Sequence, residues 1–243
     1  MRISAKTDIG KVRSSNQDSY SAGELSGGVA WAVVCDGMGG AAGGSVASTT
    51  SVRIISHTIN ECYRDGMKPS SVYNMLESGI AGANASLFDM AQKDESLNGM
   101  GTTCVAAIVA QSKVFVAHVG DSRAYRISGN GEICQLTRDH SMVQDLVESG
   151  SITADEAKTF PGKNIITRAI GVNSRVAVDF LESDFDEGDT LLICTDGLTN
   201  FVSDEQIVEA VKNTGCFEYA EKLVGLANEN GGGDNITVVS ITS

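Results

Sequence analysis

Gly28-Val29-Ala30-Trp31-Ala32-Val33-Val34-Cys35-Asp36-Gly37-Met38-Gly39-Gly40 changes character at Asp36. The eight residues before it form a continuous apolar run of strand length, and the run ends on an acid followed by glycine. The same arrangement returns in Leu191-Leu192-Ile193-Cys194-Thr195-Asp196-Gly197, and its reverse opens a third run in Gly233-Asp234-Asn235-Ile236. If the runs are strands, with the third antiparallel to the other two, the end of one and the start of its neighbour share a rim. Asp36, Asp196 and Asp234 then converge there. Converging carboxylates suit hard divalent cations. No basic residue adjoins any of the three in sequence, so a cation is the simplest partner for them, and pairing with a distant arginine is the alternative.

Outward from these runs, the pattern predicts strands over 2–8 and 18–22 and two long helices over 43–63 and 70–91, where apolar residues recur near helical spacing. Strands over 102–110, 113–119, 122–127 and 133–136 follow as a meander broken by turn residues. A polar stretch over 141–171 holds one short helix, 142–148, and connections of that length are usually functional. Strands over 176–181 and 190–195, helices over 204–212 and 218–229, and a closing strand over 236–242 complete the chain. Strands contiguous with strands, and paired helices between the blocks, predict an α+β fold: two antiparallel sheets face to face with helices outside.

The 243 residues, 42% of them hydrophobic, read as one domain over 1–243, because neither the 2 prolines nor any charge run marks a linker. A net charge of −13 repels phosphate backbones and anionic lipid, which argues against a nucleic-acid partner. Six isolated cysteines without a CxxC pair, and three scattered histidines, argue against a zinc site and for a reducing compartment. No apolar stretch approaches the length of a membrane span and residues 1–8 lack a signal-like core, so a cytoplasmic protein without membrane insertion is expected.

Single residues add to the rim. Gly37 allows a tight turn whose bare carbonyl approaches a cation. Asp121 lies in a Gly120-Asp121 turn between strands whose ends meet the same rim, a candidate outer ligand. Arg13 and Asp18 flank the loop between the first two strands, and Arg13 offers a planar fork suited to phosphate oxygens. His118 reads as a satisfied core imidazole, and His140 has Asp139 as a neighbour to orient. Cys35 and Cys194 adjoin acids, which disfavours a thiolate nucleophile.

Eight motifs in order, Arg13-x-x-Asn16-Gln17-Asp18, Val34-Cys35-Asp36-Gly37-Met38-Gly39-Gly40, Gly99-Met100-Gly101-Thr102-Thr103, His118-Val119-Gly120-Asp121-Ser122-Arg123, Thr137-Arg138-Asp139-His140-Ser141, Thr167-Arg168-Ala169-Ile170-Gly171, Cys194-Thr195-Asp196-Gly197-Leu198 and Gly233-Asp234-Asn235-Ile236-Thr237, resemble those of the PP2C-type (PPM) metal-dependent protein serine/threonine phosphatases. The resemblance runs essentially end to end and is to the bacterial free-standing catalytic domain. It implies a central β-sandwich flanked by helix pairs, with 141–171 as a flap beside the active site. It implies that Asp36 bridges two Mn2+ or Mg2+ ions, with Gly37 on one and Asp196 and Asp234 on the other. Asp121 with Asp196 would form a weaker third site, Asp18 would hold metal-bound water, and Arg13 would clamp the phosphate.

The activity implied is one-step hydrolysis of phosphoserine or phosphothreonine monoesters by a metal-bridging water, without a phosphoenzyme. Many eukaryotic members have histidine two residues after the bridging acid as the proposed general acid; here Met38 stands there and cannot donate a proton. The partners implied are phosphorylated proteins, among them a bacterial membrane serine/threonine kinase and its substrates, and a monomer is expected. Two rival readings are a two-metal phosphoesterase of small metabolites and an inactive phosphoprotein-binding module; the second requires a lost ligand, and Asp36, Asp196 and Asp234 are all present.

Overall fold

Alternation along strand β3 (Val29–Met38) divides its side chains between two cores. Ala30, Ala32 and Val34 join one buried cluster, while Val29, Trp31, Val33 and Cys35 join another. A strand covered on both faces carries no polar side, which is why the run reads as unbroken apolar sequence. The computed structural model describes residues 1–157 and 159–243, the side chains of Ala41 and Ala42 excepted.

The other strands are β1 (Arg2–Asp8), β2 (Asp18–Leu25), β4 (Gly101–Thr102), β5 (Cys104–Ala110), β6 (Lys113–Val119), β7 (Arg123–Ile127), β8 (Ile133–Gln135), β9 (Asp179–Asp184), β10 (Thr190–Cys194) and β11 (Ile236–Thr242). The helices are α1 (Gly40–Cys62), α2 (Pro69–Lys93), α3 (Met142–Glu148), α4 (Ala154–Ala157), α5 (Asp196–Thr199), α6 (Asp204–Asn213) and α7 (Tyr219–Glu229). One sheet runs β1-β11-β10-β7-β8 and the other β2-β3-β5-β6-β9, with β4 against β3; the pairings are antiparallel. Their inner faces enclose the cluster of Ala32, Val105, Val116, Leu191, Ile193 and Val239.

On one outer face lie α1 and α2. The buried positions Val72, Leu76, Ile80, Ala83 and Leu87 of α2 recur at three and four residues, and Pro69 in its first turn needs no amide partner. On the other outer face α6 and α7 bury Ile207, Leu223 and Val224 against Leu192 and Val238. Helix α6 starts on a reciprocal capping box between Ser203 and Gln206. The layers are therefore helices, sheet, sheet, helices. No helix among the described residues is long and apolar enough to cross a membrane.

Several expectations change. Strand β11 is antiparallel to β10 in its own sheet, but β3 belongs to the facing sheet, so the shared rim is made across the sandwich. The strand expected over 176–181 lies at Asp179–Asp184, where its register against β6 puts Asp179 opposite His118. Thr103 interrupts the strand expected over 102–110, and α4 and α5 were not expected. Across the polar segment, a bridge between Ser141 and Ile166 closes 141–171 on itself, and one between Thr102 and Ile170 ties its C-terminal end to the body.

Glycines at the rim follow from close backbone approach. Gly37 lies within β3 opposite Thr102 and not in a tight turn. A Cβ on it would stand 2.1 Å from the Gly44 carbonyl oxygen and 2.6 Å from that of Gln17. A Cβ on Gly197 would stand 1.9 Å from the Asn235 carbonyl oxygen, so only glycine lets the end of β10 meet the start of β11. Gly197→Ala is expected to destabilise the fold by about 1–3 kcal/mol, as overpacking does. Chemical denaturation followed by circular dichroism reads this directly.

Candidate metal centre and active site

Strand parity brings the acids together. Asp36 continues the face of Ala30, Ala32 and Val34, and so points between the sheets just where the apolar core ends. Asp18 is its register partner on β2. From the opposite sheet Asp196 follows β10 and Asp234 precedes β11, while Asp121 sits in the turn by which the chain leaves β6, a strand of the same sheet as β3, for β7. A cavity of about 420 Å³ is lined by Asp36, Gly37, Asp121, Asp196, Asp234 and Arg13, with Met38 on its wall and Asn164 and Ile166 of the 141–171 segment at its side. A second cavity of about 640 Å³ shares Asp121, Asn164 and Asp196 with it and runs between α3, α4 and α6.

Electrostatic cost dominates this rim. Burial pushes the Asp36 carboxyl well above the usual carboxylate range, with the charges of Asp18, Asp196 and Asp121 adding to the effect. Burial likewise raises Asp18 to about 7 and Asp121 to about 7, each further raised by Asp196. Asp196 is raised by burial and by the charge of Asp234, with the hydrogen bond from Asn200 acting in the opposite sense. Asp18 Oδ1 and Asp196 Oδ1 are buried with no hydrogen-bond partner among the described residues.

One acid has the partner that local sequence did not provide. The Arg13 guanidinium donates to Asp234 Oδ2 at 2.7 Å, an ion pair between a half-exposed arginine and a largely covered carboxylate. Pairing with a distant arginine therefore holds for Asp234 and not for Asp36. Asn200 Nδ2 donates to Asp196 Oδ2 at 2.9 Å, and Asn200 Oδ1 accepts from Lys163 at 3.1 Å, which links the 141–171 segment to that acid.

The candidate ligands Asp36, Gly37, Asp121, Asp196 and Asp234 fit hard divalent cations in their chemistry, offering carboxylate and carbonyl oxygens, of which Asp196 Oδ1 is buried and lacks a partner among the described residues. Among the described residues no three acidic, histidine or cysteine side chains are already drawn together as ligands of one ion.

Other residues of the centre were not singled out from sequence. Thr103 and Thr102 hold the Asp36 backbone: the Asp36 amide donates to Thr103 Oγ1 at 2.9 Å, and its carbonyl accepts from Thr102 Oγ1 at 2.7 Å. Asn235 pins the loop that carries Arg13, donating to the carbonyls of Ile9 and Ser15 at 3.0 Å and accepting the Gln17 amide at 2.8 Å. The Thr102-Thr103 and Asp234-Asn235 pairs within the motifs were the available signal. His140 does not orient Asp139, which pairs with Arg123 at 2.6 Å. Its Nδ1 accepts the Gly120 amide at 3.0 Å, so its Nε2 carries the proton toward Asp179, and the ring steadies the turn of Asp121. His118 is a core imidazole but not a satisfied one: neither ring nitrogen has a partner among the described residues, and burial pulls it down to about 3. Burial raises Cys194 to about 12 and Cys35 well above the usual thiol range, so both remain thiols.

Fold and centre together are those of a metal-dependent hydrolase. Residues 11–230 match the family model for protein phosphatase 2C. The chain is 40% identical over 242 residues to the serine/threonine phosphatase stp of Listeria monocytogenes, covering 99% of this chain and 95% of that one. Its fold is similar to the crystal structure of the Mycobacterium tuberculosis serine/threonine phosphatase PstP, with a TM-score of 0.89, 35% identity and coverage of 100% and 98%. A structure of the PstP catalytic domain in complex with two manganese ions superposes with a TM-score of 0.86 at 34% identity, covering 98% of this chain and 96% of that one. The chain belongs to the protein phosphatase 2C family.

Carboxyls with raised folded pKa values hold protons that the unfolded chain has released, so they contribute stability below about pH 4 that is lost as pH rises toward 7 and beyond. His118 and His140, both pulled down, act in the opposite sense, so the acids are isolated by difference. In EDTA, Asp36→Asn is expected to be more stable than wild type at pH 7.5 by at least about 1 kcal/mol, a gain that shrinks toward pH 4.5. Denaturant titrations at the two pH values measure it.

Proposed function

We propose that the rim cavity is the reaction centre at which this chain hydrolyses phosphoserine and phosphothreonine monoesters of proteins. The chain is a metal-dependent serine/threonine protein phosphatase of the 2C family; the residue roles are those the resemblance implies, and the cavity supports them. The observation that carries them is the gathering of Asp36, Asp121, Asp196 and Asp234 on one cavity beside Asp18, with two buried oxygens lacking partners.

Asp36 and the Gly37 carbonyl, with Asp196 and Asp234, would hold two divalent cations, Mn2+ or Mg2+, and Asp121 with Asp196 a weaker third. When bound, these ions supply an acidified water and neutralise charge on the transferring phosphoryl group. Asp18, opposite Asp36, orients the attacking water through its free oxygen. Arg13, at the mouth, turns its fork from Asp234 to the phosphate oxygens when the carboxylate is engaged elsewhere. Met38 lines the cavity and donates no proton, so the general acid for the leaving seryl or threonyl oxygen is not this side chain.

Residues 1–243 act as one domain, and the 141–171 segment forms a flap: it lines both cavities and reaches Asp196 through Lys163 and Asn200. The protein works as a monomer in the cytoplasm on phosphorylated proteins, including a membrane serine/threonine kinase and that kinase's substrates.

With Mn2+, a phosphothreonine peptide should be turned over with a higher kcat/KM than p-nitrophenyl phosphate, and EDTA should abolish the turnover. Asp36→Asn should lower kcat at least about a hundredfold, and Arg13→Ala should lower kcat/KM by about ten- to a hundredfold. Peptide turnover that persists in EDTA, or full activity of Asp36→Asn, would sink this reading. Failure to dephosphorylate an autophosphorylated membrane kinase would remove the proposed partner alone.

A further inference from the structure

We infer that Thr195 and Thr237, backed by Thr7 and Asn16, are positioning residues that hold Asp18 across the gap between the two sheets. The inference rests on the reading of Asp18 as part of the reaction centre and adds the residues that set its geometry.

The threonines occupy a place that strand parity defines. Leu191 and Ile193 on β10, and Val239 and Ile241 on β11, face the space between the sheets. Thr195 and Thr237 continue those two rows, and Thr7, the register partner of Thr237, continues the row of Ile3 and Ala5 on β1. Three hydroxyls thus stand side by side where the apolar core of one sheet ends. The facing sheet brings Asp18 to the same level.

The contacts have one consistent direction. Asp18 Oδ2 accepts from Thr195 Oγ1 at 2.9 Å and from Thr237 Oγ1 at 2.7 Å. Each hydroxyl has a single proton, and both are thereby committed to Asp18. Thr7 Oγ1 lies 2.8 Å from Thr237 Oγ1 and must be the donor there. It accepts in turn from Asn16 Nδ2 at 2.8 Å, the Asn16 orientation being fixed because Oδ1 takes the Asp18 amide at 3.1 Å. The Thr237 amide completes the arrangement by donating to Thr195 Oγ1 at 3.0 Å. Thr195 and Thr237 are fully buried, so water does not compete for these protons.

The consequence is specific to one atom. Two hydroxyls occupy Oδ2, which locks the rotation of the carboxyl and leaves Oδ1 as its free oxygen, buried and without a partner among the described residues. The tie also spans the sandwich at the point where Asp36 on one side must meet Asp196 and Asp234 on the other. Thr195 immediately precedes Asp196, and Thr237 lies three residues after Asp234. Supporting hydrogen bonds of this kind orient the groups that act at metal centres, and their loss typically costs about ten- to a hundredfold in affinity or activity. Valine has nearly the volume of threonine and no proton to give.

Thr237→Val, Thr237→Ser and Thr195→Val are to be compared in the wild-type and Asp18→Ala backgrounds, by Mn2+ calorimetry without substrate and by kcat and KM on a phosphothreonine peptide at saturating Mn2+. For Thr237→Val the expected result is a kcat lower by about ten- to a hundredfold, weaker Mn2+ binding and little change in KM. Thr237→Ser should return both quantities close to wild type, and in the Asp18→Ala background Thr237→Val should cost nothing further. A kcat and Mn2+ affinity unchanged in Thr237→Val, or an equal loss with and without the Asp18 side chain, would overturn the inference and make the tie merely a packing feature. Should Thr237→Val not fold, Thr195→Val carries the same comparison. Wild-type protein that neither binds Mn2+ nor turns over the peptide would instead sink the proposed function itself.

Discussion

Five carboxyl groups repel one another at the place where the inner faces of two sheets run out. Everything at the rim of this molecule answers that repulsion. Two of the acids are lifted to about 7 and Asp36 well above the ordinary range, because burial disfavours their charge and each lies in the field of the others. A fold selected for stability alone would place apolar or paired groups there. The arrangement makes sense as a site whose compensating charge arrives from outside, and it locates the local instability at the functional centre.

Against that strain the protein sets a small number of neutral donors. Hydroxyls from Thr195 and Thr237 hold Asp18, Asn200 holds one oxygen of Asp196, and Thr102 and Thr103 clamp the backbone of Asp36. Neutral donors orient a carboxylate without neutralising it, so the field that attracts a cation survives. Arg13 is the exception, and it is the half-exposed member at the mouth, on the acid that lies at the edge of the cavity. The 141–171 segment joins the same network through Lys163 and Asn200, so its position and that of Asp196 are not independent.

Much of this was legible along the chain. The long helices show their 3.6-residue spacing, as in Val72, Leu76, Ile80 and Leu87, and β6 and β11 lie where the residue pattern puts them. Boundaries failed where tertiary pairing overrides local preference: β9 takes its limits from the register with β6, and Thr103 breaks a β-rich run because its hydroxyl and amide are engaged with Asp36. Gly37 is legible as a residue that must be glycine, but the reason is a neighbouring carbonyl 2.1 Å from where a Cβ would stand, not a turn. The short helix beginning at Asp196 left no periodic trace, being only four residues long.

By itself the amino-acid sequence determined the alternation that buries β3 on both faces, the acids that close its apolar runs and the identity of the rim glycines. Those are properties of neighbours along the chain, and period two is enough to read them. Tertiary structure decided which acids face each other across the sandwich, that Arg13 reaches Asp234 over 221 positions and that Thr195 and Thr237 direct their protons to Asp18 with Thr7 behind Thr237. Such contacts depend on sheet packing and register, and a linear pattern of residue types carries neither distance nor direction between strands that meet only after folding.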